Sequence, residues 1–284
     1  MSPSSVPEAD WLGFCRRAAE AARGALSAYD ATADRRRYVG RGEGGDMTLA
    51  MDRAAEDAVF AELDALGAPL TAVSEERGHV PIAGGGPGHV VIDPIDGSLN
   101  AKRRIPAYSL SIAVASGPAM GDVELGYVHD LAGGEAFWAV RGEGAHLDDQ
   151  PIETAAPDGH LEVLGVESAH PWLVALYADA IASSEADRVR MIGSIALALC
   201  YVAAARFDAM FSMGTCRSVD AAAGQLIVRE AGGAVTFPDA AADLRGVSLE
   251  LDMRSRVAAG ATPRLLEDVV ARAMAVAPVP PTKA

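Results

Sequence analysis

The hydrophobic pattern changes period midway through this 284-residue chain, and that change restricts the folds open to it. From Tyr108 to Val140, YSLSIAVA, VELGYVHD and EAFWAV read as short β segments separated by Gly and Asp, the pattern of an antiparallel meander. Beyond residue 160 the chain alternates. Strand signals near Leu161–Val166, Val189–Ile192, Ala209–Phe211 and Arg256–Ala259 are interleaved with helices from Trp172, over Ser194–Ala205, from near Asp220 to the Gly232-Gly233 pair, and from Pro263. Meander first and alternation second predicts an α/β fold: an α+β lobe over residues 1–150 and an α/β lobe over residues 151–284.

Upstream of the meander, apolar residues at helical spacing (Leu12, Cys15, Ala19, Ala22) predict a helix over about Ala9–Tyr29. A second helix is expected from Asp52, placed to cap it, to about Leu66. The intervening DRRRYVGRGEGGD lacks GxGxxG spacing and reads as a glycine-rich loop, with Arg35 to Arg37 solvated or near an active site. PLTAVSEERG reads as a short strand ending in Glu75 and Glu76, and GGGPG as a connector. The Pro-rich tail after the last helix reads as disordered.

Charge excludes some partners. With 24 Lys plus Arg against 39 Asp plus Glu, the net charge of −15 disfavours a nucleic-acid polymer and anionic membranes. Three cysteines without ligand spacing argue against a disulfide framework or a zinc site, and point to a reducing compartment. No basic n-region precedes an apolar h-region at the N-terminus, and the longest apolar run, Ile195 to Ala205, falls short of the roughly 20 residues of a membrane span. A cytoplasmic protein is expected.

The chemistry lies in the acids. HVVIDPIDGSLN is an apolar strand running into a loop in which Asp93 and Asp96 flank Pro94-Ile95, so one turn can aim both carboxylates into a shared space. Like charges that close repel unless a cation neutralises them, and clustered Asp and Glu suit a hard divalent ion. The same Asp-Gly pair also serves as an ordinary turn. Gly97 and Ser98 add backbone N–H groups that favour an anion such as phosphate, and carboxylates for metal beside amides for phosphate form a phosphoryl-transfer arrangement.

Two longer segments carry a resemblance. DPIDGSLN, Asp93 to Asn100, and VDAAAGQLIVREAGG, Val219 to Gly233, resemble the two signatures of the inositol monophosphatase family, with SEERG and GDMTLAMDRAAE matching in type and order upstream. The resemblance runs from about Asp46 to Ala259 and implies the layered αβαβα sandwich of the inositol monophosphatase and fructose bisphosphatase superfamily. It implies two or three Mg²⁺ ions, with Mn²⁺ a possible substitute, held by Glu75, Asp93, the Ile95 carbonyl, Asp96 and Asp220. It implies catalytic roles for Glu75, Asp46, Ser98 and Thr48, with Asp46 and Ser98 together polarising the attacking water. Substrate contacts are implied for Asp96, Gly97 and Ser98. The spacing of Thr48 to Asp52, the NAKRRIPAYSLSIAVA continuation and Val219 in place of the usual Trp are closer to the archaeal-type branch, several members of which accept both inositol phosphates and fructose 1,6-bisphosphate.

One departure bears on substrate. FSMGTCRSVD carries no acid before Asp220 where animal members have a Glu; Arg217 stands there and fits either a second phosphate or a salt bridge. The expected activity is therefore hydrolysis of a small polyol or sugar phosphate, inositol monophosphate or fructose 1,6-bisphosphate. Alternatives are another small ester (a nucleoside 3′,5′-bisphosphate, histidinol phosphate or a specialised-pathway sugar phosphate) or a non-catalytic metal-binding regulator. Family members are usually homodimers, and the same is expected here.

Overall fold

A computed structural model describes residues 8–29, 34–45, 47–157, 160–241 and 243–276. Asp46, assigned a catalytic role above, and the Pro-rich tail lie outside the described residues. In chain order the elements are α1 (Trp11–Ser27), β1 (Tyr38–Arg41), β2 (Met47–Leu49), α2 (Ala50–Leu66), β3 (Leu70–Ser74), β4 (Gly78–Ile82), β5 (His89–Asp96), α3 (Ser98–Arg103), β6 (Ser109–Ala115), β7 (Val123–Asp130), β8 (Ala136–Val140), β9 (Ala145–Leu147) and β10 (Gln150–Ile152). The second half follows with β11 (Val163–Glu167), α4 (Pro171–Leu176), α5 (Ala178–Ala182), β12 (Arg188–Arg190), α6 (Ile195–Ala203), β13 (Ala209–Ser212), α7 (Ser218–Glu230), β14 (Ala234–Thr236), β15 (Ala258–Gly260) and α8 (Pro263–Met274).

Two sheets organise these elements. Eight strands run in the order β10-β9-β8-β7-β6-β5-β3-β4, and five in the order β12-β11-β13-β15-β14. The expected meander is β6 to β8, antiparallel throughout and extended by β9 and β10. β3 and β5 are parallel, with Ser74 opposite Ile92, which puts the C-terminal ends of both strands side by side.

Side-chain alternation makes the layers. In β5, Val90 and Ile92 pack with Phe14 and Ala18 of α1 and Val59 and Leu63 of α2. Val91, pointing the other way, joins the core that holds Leu197 of α6, Leu226 of α7 and Met210 of the smaller sheet. That sheet's outer face, through Leu164, Val166 and Phe211, covers Leu173 of α4, Tyr177 between α4 and α5, and Val269 of α8. The order is thus helices, sheet, helices, sheet, helices, as the resemblance implied. Small residues permit the central layer: a Cβ on Gly126 of β7 would lie 2.5 Å from the Ala223 carbonyl of α7.

Three expectations need correction. The glycine-rich segment forms the antiparallel β1–β2 hairpin, whose exposed strand offers no period to read. Arg35 is buried, donating from Nε to the Tyr29 carbonyl (2.7 Å) and from Nη1 to the Ala101 carbonyl (2.9 Å), whereas Arg36 and Arg37 are exposed. Asp52 is not the N-cap residue: α2 begins earlier, at Ala50 with Leu49 before it, and Asp52 caps from inside the first turn by accepting the Leu49 N–H (3.3 Å). Strands β4 and β14, each at one edge of its sheet, are not marked by the sequence pattern. Among the described residues no helix is long and apolar enough to cross a membrane.

Candidate active site

The parallel ends of β3 and β5 deliver Glu75 and Glu76 beside Asp93 and Asp96, and the first turn of α7 brings Asp220 to meet them. Asp93, Asp96 and Asp220 each present a carboxylate oxygen within 4.8 Å of the others. The geometry comes from a register shift between Asp93 and Asp96, where β5 leaves its regular pairing with β6. Each carboxylate is anchored. Asp93 Oδ1 accepts the Ile95 N–H (3.0 Å), Asp220 Oδ2 accepts the Arg217 N–H (2.8 Å), and Asp96 Oδ2 accepts the Ala196 N–H (2.8 Å) and the Ser194 hydroxyl.

Burial raises the proton affinity of all three, and repulsion from neighbouring acids adds to it at Asp93 and Asp96. Asp93 is held well above the carboxylate range, with Glu75, Asp96 and Asp220 repelling it. Asp96 is pushed up to about 8 by burial and then by Asp220, while Ser194 and Ala196 pull it back. Asp220 is raised by burial, against the pull of Arg217. Three acids that resist ionising together, with oxygen as the only donor type, fit a hard divalent cation and not a soft one. The Ile95 carbonyl, the main-chain oxygen implied by the resemblance, accepts the Ser98 hydroxyl at 2.8 Å.

Glu75 is partly buried and ion-paired with Arg217. Burial pushes its carboxyl up to about 7, with Arg217 opposing the shift and Asp220 and Glu76 adding to it. Of the two roles open to Arg217, the salt bridge is the one observed. The β1–β2 hairpin closes over this pair of acids: Gly44 N–H donates to the Glu75 carbonyl (2.8 Å) and Glu43 N–H to that of Glu76 (3.2 Å). Buried Thr48 donates its hydroxyl to the Glu76 carboxylate.

Among the described residues, an acid that flanks Ser98 is Asp52, which in the sequence is legible as a helix cap. Asp52 is buried; one oxygen accepts the Leu49 N–H (3.3 Å), and Oδ1 has no hydrogen-bond partner among the described residues. Burial, then Glu75 and Glu76, hold its carboxyl well above the usual range, and the Ser98 hydroxyl favours the ionised form. A signal for it existed. Asp52, Ala55, Glu56, Val59 and Leu63 share the buried stripe of α2, and acids on an apolar stripe are costly unless they are partnered or used. Glu56 is the partnered one, taking the Ser74 hydroxyl (2.5 Å) and Arg77. Gly97 precedes α3 at φ 91°, and a Cβ there would lie 3.0 Å from the Ala107 carbonyl and 3.1 Å from that of Gly193.

Known proteins share this arrangement at the level of sequence and fold. The model of the inositol monophosphatase family matches residues 12–276. A fructose-1,6-bisphosphatase/inositol-1-monophosphatase of Methanothermobacter thermautotrophicus is 36% identical over 238 residues, 80% of this chain and 84% of the relative. One of the same name from Archaeoglobus fulgidus is 34% identical over 258 residues, 89% of this chain and 93% of the relative. The crystal structure of an inositol monophosphatase-fructose 1,6 bisphosphatase superposes with a TM-score of 0.80 at 25% identity, covering 93% of this chain and 99% of that one. With a match along nearly its whole length and an acidic cluster suited to a metal ion, the chain belongs to the inositol monophosphatase family and is a metal-dependent phosphoric monoester hydrolase.

Proposed function

We propose that this enzyme is a Mg²⁺-dependent phosphomonoesterase acting on a small polyol or sugar phosphate, inositol monophosphate or fructose 1,6-bisphosphate. The observation that carries this reading is the convergence of Asp93, Asp96 and Asp220 next to Ser98 and Glu75. Glu75, Asp93, the Ile95 carbonyl, Asp96 and Asp220 would hold the ions. Bound there, Mg²⁺ supplies Lewis acidity toward the phosphate oxygens and lowers the pKa of water.

The chain's own groups do the rest. The Gly97 and Ser98 amides hold phosphate oxygens, and Asp96 anchors their loop to Ser194 and Ala196. Ser98, with Asp52 behind it, holds the attacking water through its hydroxyl, and Glu75 orients that water from the other strand end. A water proton passes to the Asp52 or Glu75 carboxylate, both of which burial keeps proton-hungry. No covalent enzyme intermediate is required. The names of the archaeal relatives and of an inositol-1-monophosphatase from Mesorhizobium japonicum, 34% identical over 209 residues, support the substrate class. The resemblance also supports a cytoplasmic homodimer, which sedimentation of the purified protein would test.

Asp93→Asn should abolish Mg²⁺-dependent phosphate release with the fold retained; near wild-type turnover would refute this reading. A panel of phosphate esters sets the substrate. Should inositol 1-phosphate and fructose 1,6-bisphosphate both fail while a nucleoside bisphosphate, histidinol phosphate or another sugar phosphate works, the substrate assignment is wrong and the reaction stands.

A further inference from the structure

The smaller sheet reaches the Gly97–Ser98 loop through one short segment, Ile192–Gly193–Ser194, which joins β12 to α6. Its last residue donates to Asp96, so the placement of the segment bears on a carboxylate assigned to the metal. Two side chains hold the segment in turn. From the smaller sheet comes Glu167, buried at the end of β11, whose oxygens accept the Ile192 N–H (3.1 Å) and the Gly193 N–H (2.8 Å). From the opposite side comes buried Asn100, in α3 two residues beyond Ser98.

Asn100 Nδ2 donates to the Ile192 carbonyl at 2.6 Å and to the Ala107 carbonyl at 2.7 Å. A side-chain amide nitrogen has two hydrogens, and these bonds use both. One bond closes α3 onto the chain that leads into β6; the other spans 92 residues to the segment before α6. The contact leaves little room. A Cβ on Gly193, at φ 81°, would lie 2.8 Å from Asn100 Nδ2, and the Gly193 carbonyl stands 3.1 Å from where a Cβ on Gly97 would be. Main chain therefore meets main chain beside the loop assigned to phosphate, and the Asn100 amide packs against the join.

We propose that Asn100 is a positioning residue of the reaction. It docks Ile192–Gly193–Ser194, braced from behind by Glu167, against the Gly97–Ser98 loop, and so fixes Ser194 on Asp96 and sets the distance from that carboxylate to the Gly97 and Ser98 amides. Asn100 acts through the groups it places and not on the reacting atoms. Metal affinity and phosphate placement then depend on one amide that belongs to neither set of ligands, because misplacement of either group by a fraction of an ångström weakens both. This rests on the hydrolytic reading given above.

A Mg²⁺ titration of phosphate release by the full chain, well below its unfolding midpoint, tests this. Asn100→Ala takes the donor from both carbonyls. It should raise the Mg²⁺ concentration for half-maximal activity about tenfold, the scale of one buried hydrogen bond, and lower kcat/KM at saturating Mg²⁺ by a similar factor. Asn100→Asp keeps the shape but sets an acceptor against the two carbonyls, and should do at least as much. Glu167→Gln, which keeps the shape of the brace, should shift the titration the same way by a smaller factor. Gly193→Ala crowds the amide, so it should cost less in the Asn100→Ala background than in wild type; backbone strain at that φ is common to both and cancels in the cycle. A residue with a structural role alone would lower the unfolding midpoint and leave the titration of the folded enzyme unmoved. A wild-type titration in the Asn100 variants, or in Glu167→Gln, overturns the proposal, as does strict additivity with Gly193→Ala. Failure of the wild type to release phosphate from any ester with Mg²⁺ would refute the hydrolytic reading itself, a separate result.

Discussion

Asp96 and Ser194 stand 98 residues apart in the chain, yet the Ser194 hydroxyl donates to Asp96 Oδ2. The same Ser194 oxygen accepts the Leu197 N–H (3.2 Å) and caps α6. One side chain thus starts a helix of the central layer and fixes a carboxylate at the end of β5.

Ser194→Ala should separate those two duties. Losing the cap costs about 1 kcal/mol, seen as a fall of a few degrees in the unfolding midpoint measured in chelator. Losing a donor that favours ionised Asp96 should raise the Mg²⁺ concentration for half-maximal activity roughly tenfold. A metal titration that matches wild type would show that Asp96 is not positioned by Ser194.

Arg217 pairs with Glu75, so its removal should act on the reaction and not on a second phosphate. Arg217→Ala is expected to lower kcat/KM by about 10- to 100-fold, by the same factor for a monophosphate and a bisphosphate. Loss confined to the bisphosphate would make Arg217 a substrate ligand.

Stability should fall with rising pH through a second buried acid. Glu167 ends β11, is buried, and accepts the N–H groups of Ile192 (3.1 Å) and Gly193 (2.8 Å) just before Ser194. Burial pushes its carboxyl from 4.5 to about 7. Because the folded value is raised, its contribution is fully present below about 4.5 and is lost as pH rises through about 7, on the order of 3 kcal/mol. Melting of Glu167→Gln in chelator between these values should show a shallower decline than wild type. Equal slopes would place Glu167's titration near that of the unfolded chain.

Gly42 lies where the hairpin passes Glu76. A Cβ there would stand 2.2 Å from Glu76 Oε2 and 3.1 Å from Thr48 Oγ1. Gly42→Ala must move the Glu76 carboxylate, and misplacement of this size next to the reacting groups should lower kcat about tenfold or more. The unfolding midpoint should change little, since the first strand of the hairpin is exposed. Full activity would show that Glu76 is free to move without consequence.

Much of this was legible locally. The apolar run before Asp93, the Asp93–Asp96 spacing and the position of Asp220 in a helix's first turn are short-range patterns, and short-range patterns set strand faces and helix starts. The meander was readable because alternation repeats in each strand, and the family signatures are continuous stretches of chain, one running from the end of β5 into α3 and the other along α7. The layered order of sheets and helices was implied by that resemblance and then seen in which residues share each core.

Tertiary structure decided the rest, because the partners are remote. Asp52 looked like a cap in its own helix; only the folded chain sets it beside Ser98 of α3 and Glu75, which follows β3. The hairpin over Glu75 and Glu76 is made by backbone hydrogen bonds that carry no side-chain signature. Arg217 fits two roles by sequence, and the pairing with Glu75 comes only from the folded chain. Residue types and spacing determined which groups are available for chemistry. Which of them meet, and which carboxylates are held above their usual range, follow from burial and distance, and those exist only once the layers have packed.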